Sequence, residues 1–192
     1  MRQTLLIAAR ATLVTLVLTG VLYPLAVTGL AGLLFPAEAA GSLVTDEHGA
    51  VVGSALLAQG VTSPRYLTPR PSAAGDGYDA ANSSGTNLGP TSAKLRDRVI
   101  ASIAALEAGN PDAPRPVPVE LVTTSASGLD PHLSPEAARW QAPRIAHARK
   151  VTLERVLAVI DDQTEGRTVG LLGEPRVNVL LVNLALDRQF GR

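Results

Sequence analysis

The sequence predicts an α+β protein: one N-terminal transmembrane helix followed by a single mixed α/β extracytoplasmic domain. Three observations carry that prediction. No charged side chain lies between Arg10 and Glu38. No second stretch of that kind occurs in residues 36–192. Those residues instead mix short β-prone runs with helical periodicities. The chain then divides into a short cytoplasmic N-terminus (1–10), a transmembrane anchor (11–35) and an extracytoplasmic domain (36–192).

Residues 11–35 are mostly Leu, Val, Ala, Thr and Gly. As an α-helix they would extend roughly 37 Å at 1.5 Å per residue. A bilayer core needs about 20 such residues, so the segment spans with some tilt. Arg2, Arg10 and the α-amino group precede it, while Glu38, Asp46 and Glu47 are the first charges after it. Cytoplasmic flanks carry the excess of Lys and Arg, which puts the N-terminus inside and the domain outside. Ala37-Glu38-Ala39 resembles a signal-peptidase site, but signal-peptide apolar cores run only about 7–15 residues, which favours a retained anchor. Thr12, Thr15, Thr19, Ala26 and Gly29 fall near one helical stripe, and Thr28 with Gly32 makes a small-xxx-small pair. Small and hydroxyl residues let helices approach in lipid, so Thr15, Thr19, Gly29 and Gly32 are candidate partner contacts. The same residue types are also ordinary in membrane helices. Pro24 lacks an N–H and should bend the helix or start a second segment.

The whole chain holds 17 Lys/Arg and 17 Asp/Glu, so the domain is close to neutral and lacks the basic excess of a nucleic-acid binder. It has no cysteine. A domain of about 150 residues can bury a core without disulfides.

Along the domain, residues 42–45 and 50–54 flank Asp46-Glu47-His48-Gly49 and read as a hairpin. Residues 63–90 are dense in Pro, Gly, Ser and Asn; such a stretch is usually functional or disordered. Leu95, Val99, Ile103 and Leu106 share one helix face, ended by Gly109-Asn110-Pro111. A Pro-rich connector follows, with 117–123 expected to be extended. Ser134-Pro135-Glu136 starts a helix: Ser caps, Pro suits the first position, and Glu suits the positive end. That helix must bend or restart at Pro143. Thr152 caps another, with Val156, Leu157 and Ile160 on its buried side. Residues 177–186 fit either strand or helix, with a lean towards helix.

Little catalytic chemistry is visible. Gly75-Asp76-Gly77-Tyr78-Asp79-Ala80 matches a G-x-G-x-x-A string but sits in a loop, not between a strand and a helix. There is no phosphate-binding G-x-x-x-x-G-K-[ST] run. Thr168-Val169-Gly170 has a potassium-filter flavour, yet a filter needs several such loops around a pore, so a turn is expected. His48, His132 and His147 are too scattered for a zinc pattern. Ser125, Ser127, Asp130 and His132 form the one cluster that suggests nucleophilic catalysis, and Asp130-Pro131 and Ser134-Pro135 read equally as turn and cap residues.

Several runs carry a family resemblance. They include Tyr23-Pro24-Leu25, Ala40-Gly41-Ser42-Leu43, Arg70-Pro71-Ser72-Ala73 and Ser84-Gly85-Thr86-Asn87-Leu88-Gly89-Pro90-Thr91. More specific are Ser127-Gly128-Leu129-Asp130-Pro131-His132-Leu133-Ser134-Pro135 and Gly173-Glu174-Pro175-Arg176-Val177-Asn178-Val179-Leu180. Between them lie Gln141 and Arg144-Ile145-Ala146-x-Ala148-Arg149. In these runs, over nearly its whole length, the chain resembles the C subunit of the Kdp-type potassium-transporting ATPase. It departs from the pattern at Val61 and Leu67, where aromatics are usual, and at Leu181, where a polar residue is frequent.

The resemblance implies a non-catalytic accessory subunit of an inner-membrane complex. Its implied partners are a channel-like potassium-binding subunit, a P-type ATPase subunit, a small single-span subunit and the lipid bilayer. No Asp-Lys-Thr-Gly phosphorylation motif is present, so the resemblance leaves ATP and potassium to the partners, with no cofactor in this chain. It further implies a catalytic chaperone that raises the pump's ATP affinity. An outside domain would exert that effect through coupling across the complex. Asn82, Ser84, Asn87, Ser127 and Asp130 are candidate partner contacts in the loops. Two other readings remain: an anchored serine hydrolase using Ser127, His132 and Asp130, and a freestanding interaction module of the envelope.

Overall fold

The computed structural model describes residues 1–191. It is a mixed helix-and-strand protein that divides into two compact units, Met1–Leu43 and Val44–Arg192.

In the first unit, α1 (Arg2–Val17) runs through one widened π-type turn (Leu18–Leu22) into α2 (Tyr23–Leu34). Arg2–Leu34 thus forms one helix of 33 residues, with mean hydropathy 2.1 in its most apolar window and none of that window buried within the chain. By length and composition it can cross a membrane. Pro24 does not split it. The helix absorbs the missing donor upstream by loosening to i→i−5 spacing, where the Tyr23 N–H reaches the Leu18 carbonyl. Phe35 leaves helical geometry because Pro36 follows. One further turn, α3 (Pro36–Ala39), completes the unit's helices.

The expected hairpin pairs β1 (Leu43–Thr45) with β2 (Val51–Ser54). Asp46 holds its turn by accepting from the His48 and Ala50 N–H groups. The helix α4 (Ala93–Gly109) begins at Ser92, whose hydroxyl accepts from the Leu95 N–H.

The core lies around a small antiparallel sheet ordered β3 (His132–Leu133), β5 (Arg176–Asn178), β4 (Thr164–Glu165). Leu133 and Thr164 both face Val177 in register. Around it pack α5 (Pro135–Trp140), α6 (Ala142–Arg149), α7 (Leu153–Asp162) and α8 (Val179–Phe190). Leu133, Ile145, Val156, Ile160, Val177, Val182 and Leu186 are all fully buried. Each such side chain contributes about 1.5–3 kcal/mol of burial. Trp140 fixes the Pro-rich connector by donating its indole N–H to the Pro114 carbonyl (2.7 Å).

Ser134 caps α5 as expected, accepting from the Ala137 N–H at 3.1 Å. The restart falls at Gln141, just before Pro143, because a proline is tolerated in a helix's first turn. Val156 and Ile160 form the buried side of α7, with Leu157 half-buried. Residues 177–186 satisfy both of their tendencies. The strand ends at Asn178, whose side chain accepts from the Leu181 N–H and starts α8. One expectation fails: 117–123 is not extended. After Pro118 the chain forms a 3₁₀ turn (Val119–Leu121) that buries Leu121 and Val122, and the Thr123 hydroxyl bonds the Val119 carbonyl. Local hydroxyl-to-backbone bonding and core burial outweigh the β-propensity of the valines.

Candidate functional site

Two sets of polar side chains organise the long loop between β2 and α4. The first grips residues 64–68. The Leu67 side chain is fully buried, although the sequence around it forms no regular element. A buried backbone needs partners for each N–H and C=O. Asn183, on the core face of α8, supplies both for Leu67. Its Oδ1 accepts the Leu67 N–H at 2.7 Å, and its Nδ2 donates to the Leu67 carbonyl at 2.9 Å. Gln141 does the same for Thr68, with 3.0 Å in each direction. These two amides act as the neighbouring strand that the segment lacks.

Arginines complete the grip. Arg144 donates to the Pro64 and Tyr66 carbonyls and to Gln141. Its side chain is held in a largely desolvated place, which lowers its pKa. Arg149 has a fully buried side chain and donates to the Arg65, Leu186 and Gly191 carbonyls. It also pairs with Asp187 at 2.7 Å and lies 4.8 Å over the Tyr66 ring. The Tyr66 hydroxyl donates to Asp187 at 3.0 Å. Burial first, and then the Asp187 carboxylate, push the Tyr66 phenol up.

The second set joins residues 70–87 to 124–130. Ser72 accepts from the Ala74 and Tyr78 N–H groups, and the Tyr78 hydroxyl donates to the Arg70 carbonyl. Arg70 reaches the Thr124 carbonyl at 3.2 Å and Asp130 at 3.4 Å. The Ser84 N–H and the Ser83 hydroxyl both donate to the Ser127 carbonyl. Contact here is so close that only glycine fits at 128. Its φ is +70°, and a Cβ would lie 2.7 Å from the Ser84 carbonyl oxygen.

The candidate contact residues fall into three places. Thr15 and Thr19 bond back to the Ala11 and Thr15 carbonyls at 2.8 Å, and open space surrounds Gly29 and Gly32 on the same helix. In the loops, Asn82, Ser84 and Asn87 are exposed at the outer side of the second set, with Asn82 donating to Asp79 at 2.6 Å. Asn87 sits in left-handed geometry at φ 52°. Ser127 and Asp130 serve the turn itself. The Ser127 hydroxyl accepts from the Leu129 N–H, and Asp130 accepts from the His132 N–H at 3.0 Å. His132 Nδ1 lies 3.8 Å from Asp130. Its pKa is lowered by burial first and by Arg176 second, against the opposing carboxylates of Asp130 and Glu165. Among the described residues no group of three or more His, Cys, Asp or Glu is placed to hold a metal ion. Thr168-Val169-Gly170 forms a turn.

The residues that do most to fix the loop are Gln141, Asn183 and Arg149. Their signal in the sequence is a polar residue at a core-facing helical position. Asn183, between Val182 and Leu184, shows it most clearly.

Comparison with known proteins agrees with the sequence resemblance. The family model described as KdpC, K+-transporting ATPase, c chain, matches residues 5–188. A Myxococcus xanthus protein named potassium-transporting ATPase KdpC subunit is 69% identical over 191 residues, covering 100% of this chain and 90% of its own. Proteins of the same name from Rhodospirillum rubrum and Methylobacterium nodulans are 57% and 55% identical. They cover 90% and 100% of this chain, and 89% and 98% of their own lengths.

Proposed function

Since the chain belongs to the KdpC family of K+-transporting ATPase c chains, and is therefore a subunit of a membrane complex, we propose that it acts there as a non-catalytic accessory subunit. In this reading the Arg2–Leu34 helix crosses the inner membrane with the basic end inside, and the second unit stands outside. The partners are a channel-like potassium-binding subunit, a P-type ATPase subunit and a small single-span subunit. ATP and potassium are handled by those partners.

The observation that carries the proposal is the contrast within the loop of residues 55–91. Its inner side is fixed to the helices by Asn183, Gln141, Arg144 and Arg149. Its outer side leaves Asn82, Ser84 and Asn87 exposed on a backbone tied to residues 124–130. A rigid frame with an exposed polar edge suits docking onto another subunit, since little order remains to be imposed on binding. The helix supports the same reading from the membrane side, because its threonines and glycines offer a surface for close helix packing.

An outside domain influences ATP bound on the inside only by coupling through the membrane subunits. A coupling of about 1–3 kcal/mol changes affinity roughly 5- to 150-fold. Removal of residues 36–192, with the helix retained and its insertion verified, is expected to abolish high-affinity potassium uptake and to raise the pump's KM for ATP within that range. Normal uptake with an unchanged KM would refute the accessory role. Protease accessibility of the second unit in sealed vesicles tests the orientation separately.

A further inference from the structure

Between β4 and β5 the chain forms a second, smaller hairpin. Thr168 and Leu172 pair across it, with N–H to carbonyl distances of 2.9 and 3.0 Å. Its tip is apolar and unusually open: Val169 is 92% exposed, Leu171 76% and Leu172 63%. Charges begin only at the neck, and there they pair. Arg167 meets Glu174 at 2.7 Å, and Arg176 meets Glu165 at 2.8 Å.

We propose that this tip docks onto the lipid surface, laying Val169, Leu171 and Leu172 into the interfacial layer of the bilayer. The inference rests on the reading that Arg2–Leu34 spans that membrane. Size argues against a freestanding protein partner. Three side chains are far fewer than the roughly 20–30 residues a side that a stable interface uses. A contact this small becomes populated only when its target is already held nearby. The bilayer meets that condition. Residues 35–43 separate the helix from the second unit, reach at most about 30 Å when extended, and are shortened by the turn at Pro36–Ala39. The covalent tether therefore keeps the bilayer at high effective concentration for the second unit. Charge agrees as well. Each neck carboxylate is matched by an arginine, so an anionic headgroup layer meets no net repulsion.

The absence of cysteine makes the test clean. Full-length chains carrying Leu171→Cys, Leu25→Cys or Ala104→Cys are labelled with an environment-sensitive dye. They are then reconstituted in phosphatidylcholine/phosphatidylglycerol vesicles with or without shallow-brominated lipid. The dye at 171 is expected to shift to the blue and lose at least half its intensity to bromine, while the dye at 104 reports water. Adding Val169→Ser and Leu172→Ser should return the 171 signal to the level at 104. Aqueous emission at 171 with an apolar signal at 25 overturns the tip proposal alone. Aqueous emission at both positions overturns the spanning helix, and the tip proposal with it. A blue shift that bromine does not quench, or quenching that survives the serine changes, assigns the tip to a protein contact and overturns lipid docking.

Discussion

Residues 64–68 and residues 168–172 are both irregular, and both carry aliphatic side chains on a loop. Leu67 is nevertheless fully buried, whereas Val169 is 92% exposed. Hydrophobicity does not separate them, because leucine and valine differ little in transfer free energy. The separation lies in what the surroundings offer the backbone. Burying a peptide group without a partner costs about 1–3 kcal/mol for each donor or acceptor. Around Leu67 the helices provide two amides and two guanidinium groups that take up those peptides in turn. The 168–172 tip satisfies its own backbone by the Thr168–Leu172 pairing, and its side chains stay outside the core. This irregular segment enters the core because polar side chains replace a neighbouring strand.

The strongest way to break that comparison is at Arg149. Its guanidinium is fully buried, pairs with Asp187 and holds the Arg65, Leu186 and Gly191 carbonyls. Arg149→Leu removes one member of the buried Arg149–Asp187 pair, and such a loss costs about 3–5 kcal/mol. Chemical denaturation of the full chain in detergent should show a midpoint shift of that size. The double change Arg149→Leu with Asp187→Leu should recover part of it, because both charges of the pair are then removed together. A shift below about 1 kcal/mol would mean that residues 64–68 are held without this pair.

Asn183 comes next. Asn183→Leu fits the apolar neighbourhood but leaves the Leu67 N–H and carbonyl unpartnered, a loss of about 2–6 kcal/mol from the two groups together. Asn183→Asp keeps the acceptor for the Leu67 N–H but buries a carboxylate against the Leu67 carbonyl, so it should cost at least as much. Hydrogen exchange at the Leu67 amide should therefore quicken strongly in both variants. Unchanged protection in the leucine variant would break the strand-replacement argument.

The elements that were legible in the sequence share a cause, and so do those that were not. Ser134-Pro135-Glu136 and the run Leu95, Val99, Ile103 and Leu106 announced their helices because capping and periodicity are local properties. The split at Asn178 was half-legible, as strand and helix signals overlap in one valine-rich run. The burial of residues 64–68 was not legible. Its partners lie between 73 and 116 positions away for Gln141 and Asn183, and no local pattern encodes pairing at that separation. The turn at Val119–Leu121 was misread for a related reason, because local β-propensity yielded to burial of Leu121. For the candidate contacts, the sequence singled out these stretches without distinguishing what each residue does within the fold. Ser127 and Asp130 hold the junction, and Asn82, Ser84 and Asn87 face outward.

A smaller effect is expected at the sheet. His132 lies on β3 and faces Arg176, Asp130 and Glu165. Its folded pKa lies below the ordinary 6.5, so the unfolded chain binds the proton more readily. The stabilisation is complete above pH 6.5 and declines as pH falls from there through the lower folded value. His132→Gln should flatten that part of the stability–pH curve while leaving the value at pH 8 nearly unchanged. A slope that persists in the glutamine variant would assign the dependence to other groups.

The smallest expected change lies at the exposed tip. Val169 holds φ at 56°, which is unfavourable for a β-branched residue by about 1–2 kcal/mol. Glycine adopts that geometry freely but raises the entropy of the unfolded chain by an amount equivalent to roughly 0.5–1 kcal/mol. The difference predicts that Val169→Gly is neutral or stabilises by up to about 1.5 kcal/mol, read as an unchanged or higher denaturation midpoint. At Leu67 a comparable truncation to alanine would cost about 2–5 kcal/mol through the cavity it leaves. A clear loss of stability at 169 would show that the tip is packed in the folded chain, and the distinction between the two loops would fail. Unchanged stability combined with weaker bromine quenching at 171 would mean that a strained valine is kept at this turn for what it touches outside the fold.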